Sequence, residues 1–267
     1  MTTRIAAALA VAASLLSPIA AQSAESLALN VLGFSPDGRH FAFMQYGPQW
    51  EASRFAADVV VIDANRDRFV QGSPVRVTAD MKDDANEDNI AADLKAFLAK
   101  ARQRAGSLLN AHKVSKPGIL LLRVAEARPD EFGSGSDRPP AGVPAATAKH
   151  DRLGEFKLQL HLKEIDWPKT SKLGPHKEAG TCSSEVDWQK GAGVRLTLEV
   201  GGREIVLNDD KTIPASRHCV TGYGIAEVHA FDRPDGKVTL AVMLGMEIRG
   251  FEGQDRLFLA VTKVIDR

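Results

Sequence analysis

Period-two alternation punctuated by turn residues runs through most of this chain, and it restricts the fold to antiparallel β structure. Glu155 to Leu162 reads EFKLQLHL. Phe156, Leu158, Leu160 and Leu162 share one face of a strand, with Lys157, Gln159 and His161 on the other, so one face is core and the other wet. His40 to Tyr46 (HFAFMQY) and Asp58 to Asp63 (DVVVID) are apolar strands, and Asn65 to Arg68 turns the second back into Phe69 to Val77. Before them, Pro36-Asp37-Gly38 has strong turn chemistry: Pro sets φ, Asp bonds the backbone and Gly takes the left-handed position. Gly201-Gly202 is a two-residue hairpin signal between Val194–Val200 and Arg203–Leu207. The last 45 residues read as a meander of Tyr223–Phe231, Val238–Ile248 and Arg256–Ile265.

One segment changes period. From Asp84 to His112 the apolar positions are Ile90, Leu94, Phe97, Leu98, Ala101, Ala105, Leu108 and Leu109, which share one helical face. Asp83, Asp84, Glu87 and Asp88 precede Lys100, Arg102 and Arg104, matching the helix dipole. The spacing predicts one long amphipathic helix packed on the sheet, with Gly106 as a point of kinking or termination. Ile119 to Val124 is a buried strand. Arg128 to Arg152 is rich in Pro and Gly and has few apolar anchors, so residues 128–152 read as a flexible loop, with a domain boundary as the alternative. The expected fold is mainly β (α+β): antiparallel sheets, sandwich or barrel-like, in one domain over residues 25–267. The turns at Pro36-Asp37-Gly38-Arg39 and Pro234-Asp235-Gly236-Lys237 also resemble blade turns of TolB and WD40 propellers. A propeller needs at least four blades at a period of about 40–45 residues, and no such period connects the two copies.

The start of the chain bears on its location. Arg4 precedes twelve apolar residues, Ile5 to Leu16, followed by Ser17-Pro18 and the small-residue stretch Ala20 to Ala24. That order predicts a secretory signal peptide over residues 1–24 and a periplasmic or secreted product. The run is shorter than the ~20 residues a membrane span requires. Export places Cys182 and Cys219 in an oxidising compartment, where an even count favours a disulfide. A metal site would need more ligands than this pair supplies, and a nucleophilic thiol is the other alternative. Charge is balanced, with 34 basic and 34 acidic residues, so no basic footprint for nucleic acid is present.

No nucleophile elbow, His-Glu-x-x-His or phosphate loop occurs. Asp84, Asn86 and Asp88 have calcium-loop spacing, but Asn89 replaces the required Gly and Lys95 the bidentate Glu. The seven histidines are scattered without ligand spacing. No metal and no cofactor is therefore expected. Trp50, Trp167 and Trp188 fall in or near loops, where an indole either pins the loop or stacks on a ligand.

Three stretches carry a family resemblance: Phe34-Ser-Pro-Asp-Gly-Arg-His-Phe-Ala-Phe with Gln45-Tyr46-Gly47; Tyr223-Gly224-Ile225 after Cys219; and Arg249-Gly-Phe-Glu-Gly-Gln-Asp-Arg-Leu-Phe-Leu-Ala. The chain resembles the predicted secreted proteins of unknown function of Gram-negative bacteria. The resemblance spans nearly all of the mature chain and implies export, with no assigned activity and no functional residue to transfer. The expected role is a non-enzymatic envelope protein that binds a protein partner or small ligand, with Trp188, Phe251, Glu252, Asp255 and Arg256 as interaction candidates. The alternatives are a hydrolase of cell-envelope material, for which Glu252, Asp255 and His229 are the first residues to test, and a TolB-like accessory propeller.

Overall fold

A computed structural model describes residues 27–49, 52–82, 87–124, 142–166, 190–249 and 254–266. The expected signal peptide, Trp50, Trp167, Cys182, Trp188, Phe251 and Glu252 lie outside them.

The first sheet begins with β1 (Ala28–Phe34), β2 (His40–Gln49) and β3 (Arg54–Asp63), joined antiparallel. Their first turn closes as its residues dictate. Ser35 Oγ donates to Asp37 Oδ1 at 2.6 Å, His40 N–H donates to Ser35 Oγ at 2.9 Å, and Gly38 takes a φ of +67°. β4 (Arg68–Phe69) and β5 (Val75–Asp80) lie end to end along the outer edge of β3.

The single long helix expected over residues 84–112 is not formed. The described chain has α1 (Glu87–Arg104) and the one-and-a-half-turn α2 (Gly106–Ala111), separated at Ala105. Gly106 has the weakest helix propensity of the run, and the break falls beside it. The predicted apolar face is nevertheless the one buried: Phe97, Ala101 and Ala105 pack with Met44, Phe55, Ala57 and Val59 of the first sheet.

β6 (Ile119–Arg123) forms as expected but is not buried, with Ile119 and Leu120 exposed at the sheet edge, and it leads into the segment expected to be a loop. That expectation extends too far. Residues 145–150 form β7 (Ala145–His150), which pairs with β8 (Gly154–Asp166) from Ala145↔Gln159 to His150↔Gly154. The short side chains of AATAKH hid this strand, because alternation of Ala with Thr or Lys carries little hydrophobic contrast. β8, β9 (Lys190–Val200) and β10 (Arg203–Asp209) complete the second sheet in the order β10-β9-β8-β7. Gly201 and Gly202 both have positive φ at its hairpin, as the primed turn requires.

β11 (Val220–Asp232), β12 (Val238–Arg249) and β13 (Gln254–Ile265) form the expected meander, and β6 pairs with the outer side of β11. This third sheet is the middle layer. On one face Ala226, Ala241, Met243, Phe258 and Ala260 pack with Phe34, Phe41, Phe43, Val60 and Ile62 of the first sheet. On the other face Ile225, Val228, Leu240, Val242 and Leu244 pack with Phe156, Leu158, Leu196 and Leu198 of the second. Burial on both faces explains why VTLAVMLGM reads as a nearly continuous apolar run. Each fully buried Leu or Val there contributes about 1.5–3 kcal/mol.

The order is thus helices, first sheet, third sheet, second sheet. Among the described residues no sheet closes into a barrel, and the sheets stack face to face instead of radiating as propeller blades. Where the chain re-enters beside β11, Val143 and Ile225 exchange main-chain hydrogen bonds of 3.1 and 2.8 Å. The backbones approach so closely that a Cβ on Gly142 would lie 2.4 Å from the Ile225 carbonyl oxygen.

Candidate functional site

Strand register assembles a mixed polar and apolar surface on the inward face of the first sheet. Gln45 stands opposite Asp58, and Asp58 opposite Arg76, giving one polar row across β2, β3 and β5. Phe43 and Val60 form the next row, and Ile62 with Phe69 the one after. The third sheet covers only part of this surface. Beyond its border strand, β13, a cleft of about 400 Å³ opens. Its remaining walls are Leu257 to Val261 of β13, Met246 of β12, and Asn208, Pro214, Ser216, Arg217 and His218 from the β10–β11 connection.

Arg76 and Arg217 are each held by a carboxylate, whereas Arg68, also in the wall, has no ion-pair partner among the described residues. Arg76 forms a bidentate pair with Asp58, Nε to Oδ1 at 2.7 Å and Nη2 to Oδ2 at 2.8 Å. Arg217 Nη1 donates to Asp210 Oδ2 at 2.5 Å and to the Tyr223 hydroxyl at 3.1 Å. Asp210 in turn accepts from Val194 N–H at 2.8 Å, which fastens the connection to the second sheet. Burial pushes the Tyr223 phenol up from its ordinary value, against the opposing pull of Arg217. Asp67, in the β3–β4 turn, accepts from Thr262 N–H and Thr262 Oγ1, both at 2.8 Å. Burial raises its pKa in spite of those bonds.

Along the open edge of β13 one outward main-chain group is engaged at each of three positions. Leu27 N–H donates to Arg256 O at 3.1 Å, Phe258 N–H donates to Gln45 Oε1 at 2.8 Å, and Asp67 takes Thr262 N–H. Ala260 lies between the last two. Its register with Met243 gives it the same outward-facing N–H and C=O, and neither has a partner among the described residues. Ala260 is buried and lines the cleft. Leaving such a group unpaired costs about 1–3 kcal/mol.

The residues expected from the sequence are placed elsewhere. Asp255 and Arg256 are described, buried at the start of β13 just before the cleft. His229 is buried between the first and third sheets, where its Nε2 meets Glu227 Oε2 at 2.7 Å and Arg123 Nε reaches Glu227 Oε1 at 2.6 Å. His229 stands opposite Ala241, itself opposite Thr262, seven positions along β13 from Asp255. That is about 23 Å, too far for a shared catalytic centre. Cys219 is fully buried, beside the cleft-lining His218. No group of three or more His, Cys, Asp or Glu among the described residues could hold a metal.

The cleft residues Gln45, Asp58, Asp67, Arg76 and Arg217 were not singled out by sequence reasoning. Two of them had a signal: Gln45 and Asp58 are polar intrusions on the inward face of HFAFMQY and DVVVID, where an apolar residue is the rule.

No curated protein and no solved structure matches the chain. Among the described residues no helix is long and apolar enough to cross a membrane. A family model described as "Predicted secreted protein (DUF2259)" matches residues 42–263, most of the chain and all walls of the cleft, and the protein therefore belongs to this family of predicted secreted proteins of unknown function.

Proposed function

We propose that this protein is a periplasmic, non-enzymatic binding protein whose site is the cleft between the first sheet, β13 and the β10–β11 connection. The observation that carries this reading is the cleft itself: about 400 Å³, with a floor of Phe43, Val60, Ile62 and Phe258 and a rim of pre-formed ion pairs. Small-molecule sites have this size and this combination of apolar lining with a few fixed polar groups. Arg76 and Arg217 are already paired and shape the rim, which leaves Arg68 as the arginine of the wall without a carboxylate partner among the described residues.

The mature protein should bind anilinonaphthalenesulfonate, an anionic fluorescent probe with an apolar ring system, at one molecule per chain. Ser216 is an exposed residue of the connection at the cleft wall, so Ser216→Trp fills the space without disturbing the core. Fluorescence titration should show binding weakened about tenfold or more in this variant, a difference of roughly 1.4 kcal/mol. Absence of binding, or binding that ignores the substitution, would overturn the reading.

We also infer that Cys182 and Cys219 are bridged. The support is an even cysteine count in a predicted secreted protein and the complete burial of Cys219. Closing a loop of about 37 residues stabilises by roughly 3.8 kcal/mol in the chain-entropy description. A free thiol titrated in the denatured, unreduced protein would refute the bridge.

A further inference from the structure

The occupant's chemistry can be read from the edge of β13, granted that the cleft is a ligand site. Arg256, Phe258 and Thr262 each have one outward main-chain group engaged, by Leu27, Gln45 and Asp67 respectively, while at Ala260, a buried residue, neither the outward N–H nor the C=O has a partner among the described residues. More than about 90% of buried main-chain groups are paired, so an unpaired couple facing a cavity marks where a ligand supplies the partners. We propose that the cleft binds a short apolar peptide in extended form, laid antiparallel beside β13, whose middle residue exchanges both main-chain hydrogen bonds with Ala260.

Three features select this class. A single residue in an antiparallel pair both donates and accepts, which is what Ala260 requires. A fatty acid carboxylate accepts from the N–H but gives nothing to the C=O. Secondly, the Gln45 and Asp67 side chains bound the slot at Phe258 and Thr262, about 13 Å apart, which admits three or four extended residues and stops a longer added strand. Thirdly, side chains of such a peptide that point toward the first sheet meet the apolar Phe43, Val60 and Ile62, and the opposite wall mixes Pro214 and Leu259 with Ser216 and Arg217. The ion pairs Asp58–Arg76 and Asp210–Arg217 take those four groups out of contact with the peptide's charge, and the blocked termini of the probe give Arg68 nothing to pair with.

The probe is N-acetyl-Val-Val-Leu-amide, with an analogue methylated on the nitrogen of its second valine. Both are titrated into the exported chain and followed in its assigned amide spectrum. The Ala260 amide should shift downfield and exchange more slowly with solvent, with smaller changes at Phe258 and Thr262. The methylated analogue, which cannot donate to the Ala260 carbonyl, should bind about tenfold or more weakly. An unmoved Ala260 amide, equal affinity for the two peptides, or an Ala260 amide already slow to exchange in the free protein would each overturn the pairing. Anilinonaphthalenesulfonate is titrated in parallel. If it binds in a Ser216→Trp-sensitive manner and the peptide does not, the pairing falls and the ligand site stands; if neither binds, both fall.

Discussion

Glu227 is a buried carboxylate and Asp67 belongs to an exposed turn whose carboxyl turns in against Thr262, and their surroundings move them in opposite directions. For Glu227, burial raises the pKa, but the hydrogen bonds from His229 and Arg123 outweigh it and hold the carboxyl below its ordinary value. For Asp67, burial wins over the two bonds from Thr262 and over the more distant Arg217 and Lys263. The linkage signs follow. Glu227 adds stability that is present above its unfolded pKa and lost as pH falls through the folded one. Ionised Asp67 subtracts stability, and that cost disappears as pH falls below its raised folded pKa. Glu227→Gln should therefore destabilise by about 1–3 kcal/mol at pH 7, and by less in acid. Asp67→Asn should be neutral or stabilising at pH 7, since an amide oxygen still accepts from Thr262 and Asn tolerates the φ of +50° found there. Asp67→Ala, which removes the acceptor, should cost about 1–3 kcal/mol. Urea unfolding at pH 7 and pH 4 measures all three. A loss above about 2 kcal/mol in Asp67→Asn would show that the charge itself is needed.

At the scale of elements, the segment between β6 and β7 leaves and rejoins the third sheet at adjacent positions. Val124 N–H donates to Ala226 O at 3.0 Å, and Val143 N–H donates to Ile225 O at 3.1 Å. Both anchors are main-chain bonds to β11, so the intervening residues are not required to set the register. Deleting residues 128–139 should change the melting temperature by only a few degrees, because loop-closure entropy varies slowly with length. Deleting through residue 150 should be severe, because it removes β7. Thermal unfolding followed by circular dichroism distinguishes them; a large drop for the shorter deletion would show that the segment packs on the body. What was legible in the sequence follows the same division between local and non-local. The Ser35–Arg39 turn, the Gly201-Gly202 hairpin and the closing meander depend on neighbours in sequence, and each was read correctly. The pairing of Leu122 with Val228, or the meeting of Gln45 with Phe258, joins residues more than a hundred positions apart and has no local signature. The cleft was illegible for that reason: Gln45 and Asp58 signalled a buried polar row, but only the tertiary fold shows that β13 stops short of covering it. Ala260 contributes main-chain groups, for which residue identity carries no signal at all.

At the scale of the molecule, the third sheet belongs to two cores at once, and β12 is the strand they share. Met243 faces the first sheet and Leu244 faces the second, one residue apart on the same backbone, and both are fully buried. Neither core can be dismantled while β12 keeps its packing. Truncating either residue to Ala leaves a cavity and should cost about 2–5 kcal/mol. If the layers form one cooperative unit, the cost must be felt throughout. Hydrogen exchange at Val60 in the first sheet and at Leu196 in the second should then slow or quicken together, whichever face of β12 has been damaged. Denaturant curves for Met243→Ala and Leu244→Ala should keep the wild-type slope and shift only in midpoint. Two separable transitions, or a Met243→Ala protein whose Val60 amide is exposed while Leu196 stays protected, would show that the first sheet folds as a unit of its own. In that event the cleft, whose walls come from all three sheets, would open and close with the docking of the first sheet and would not be a fixed site.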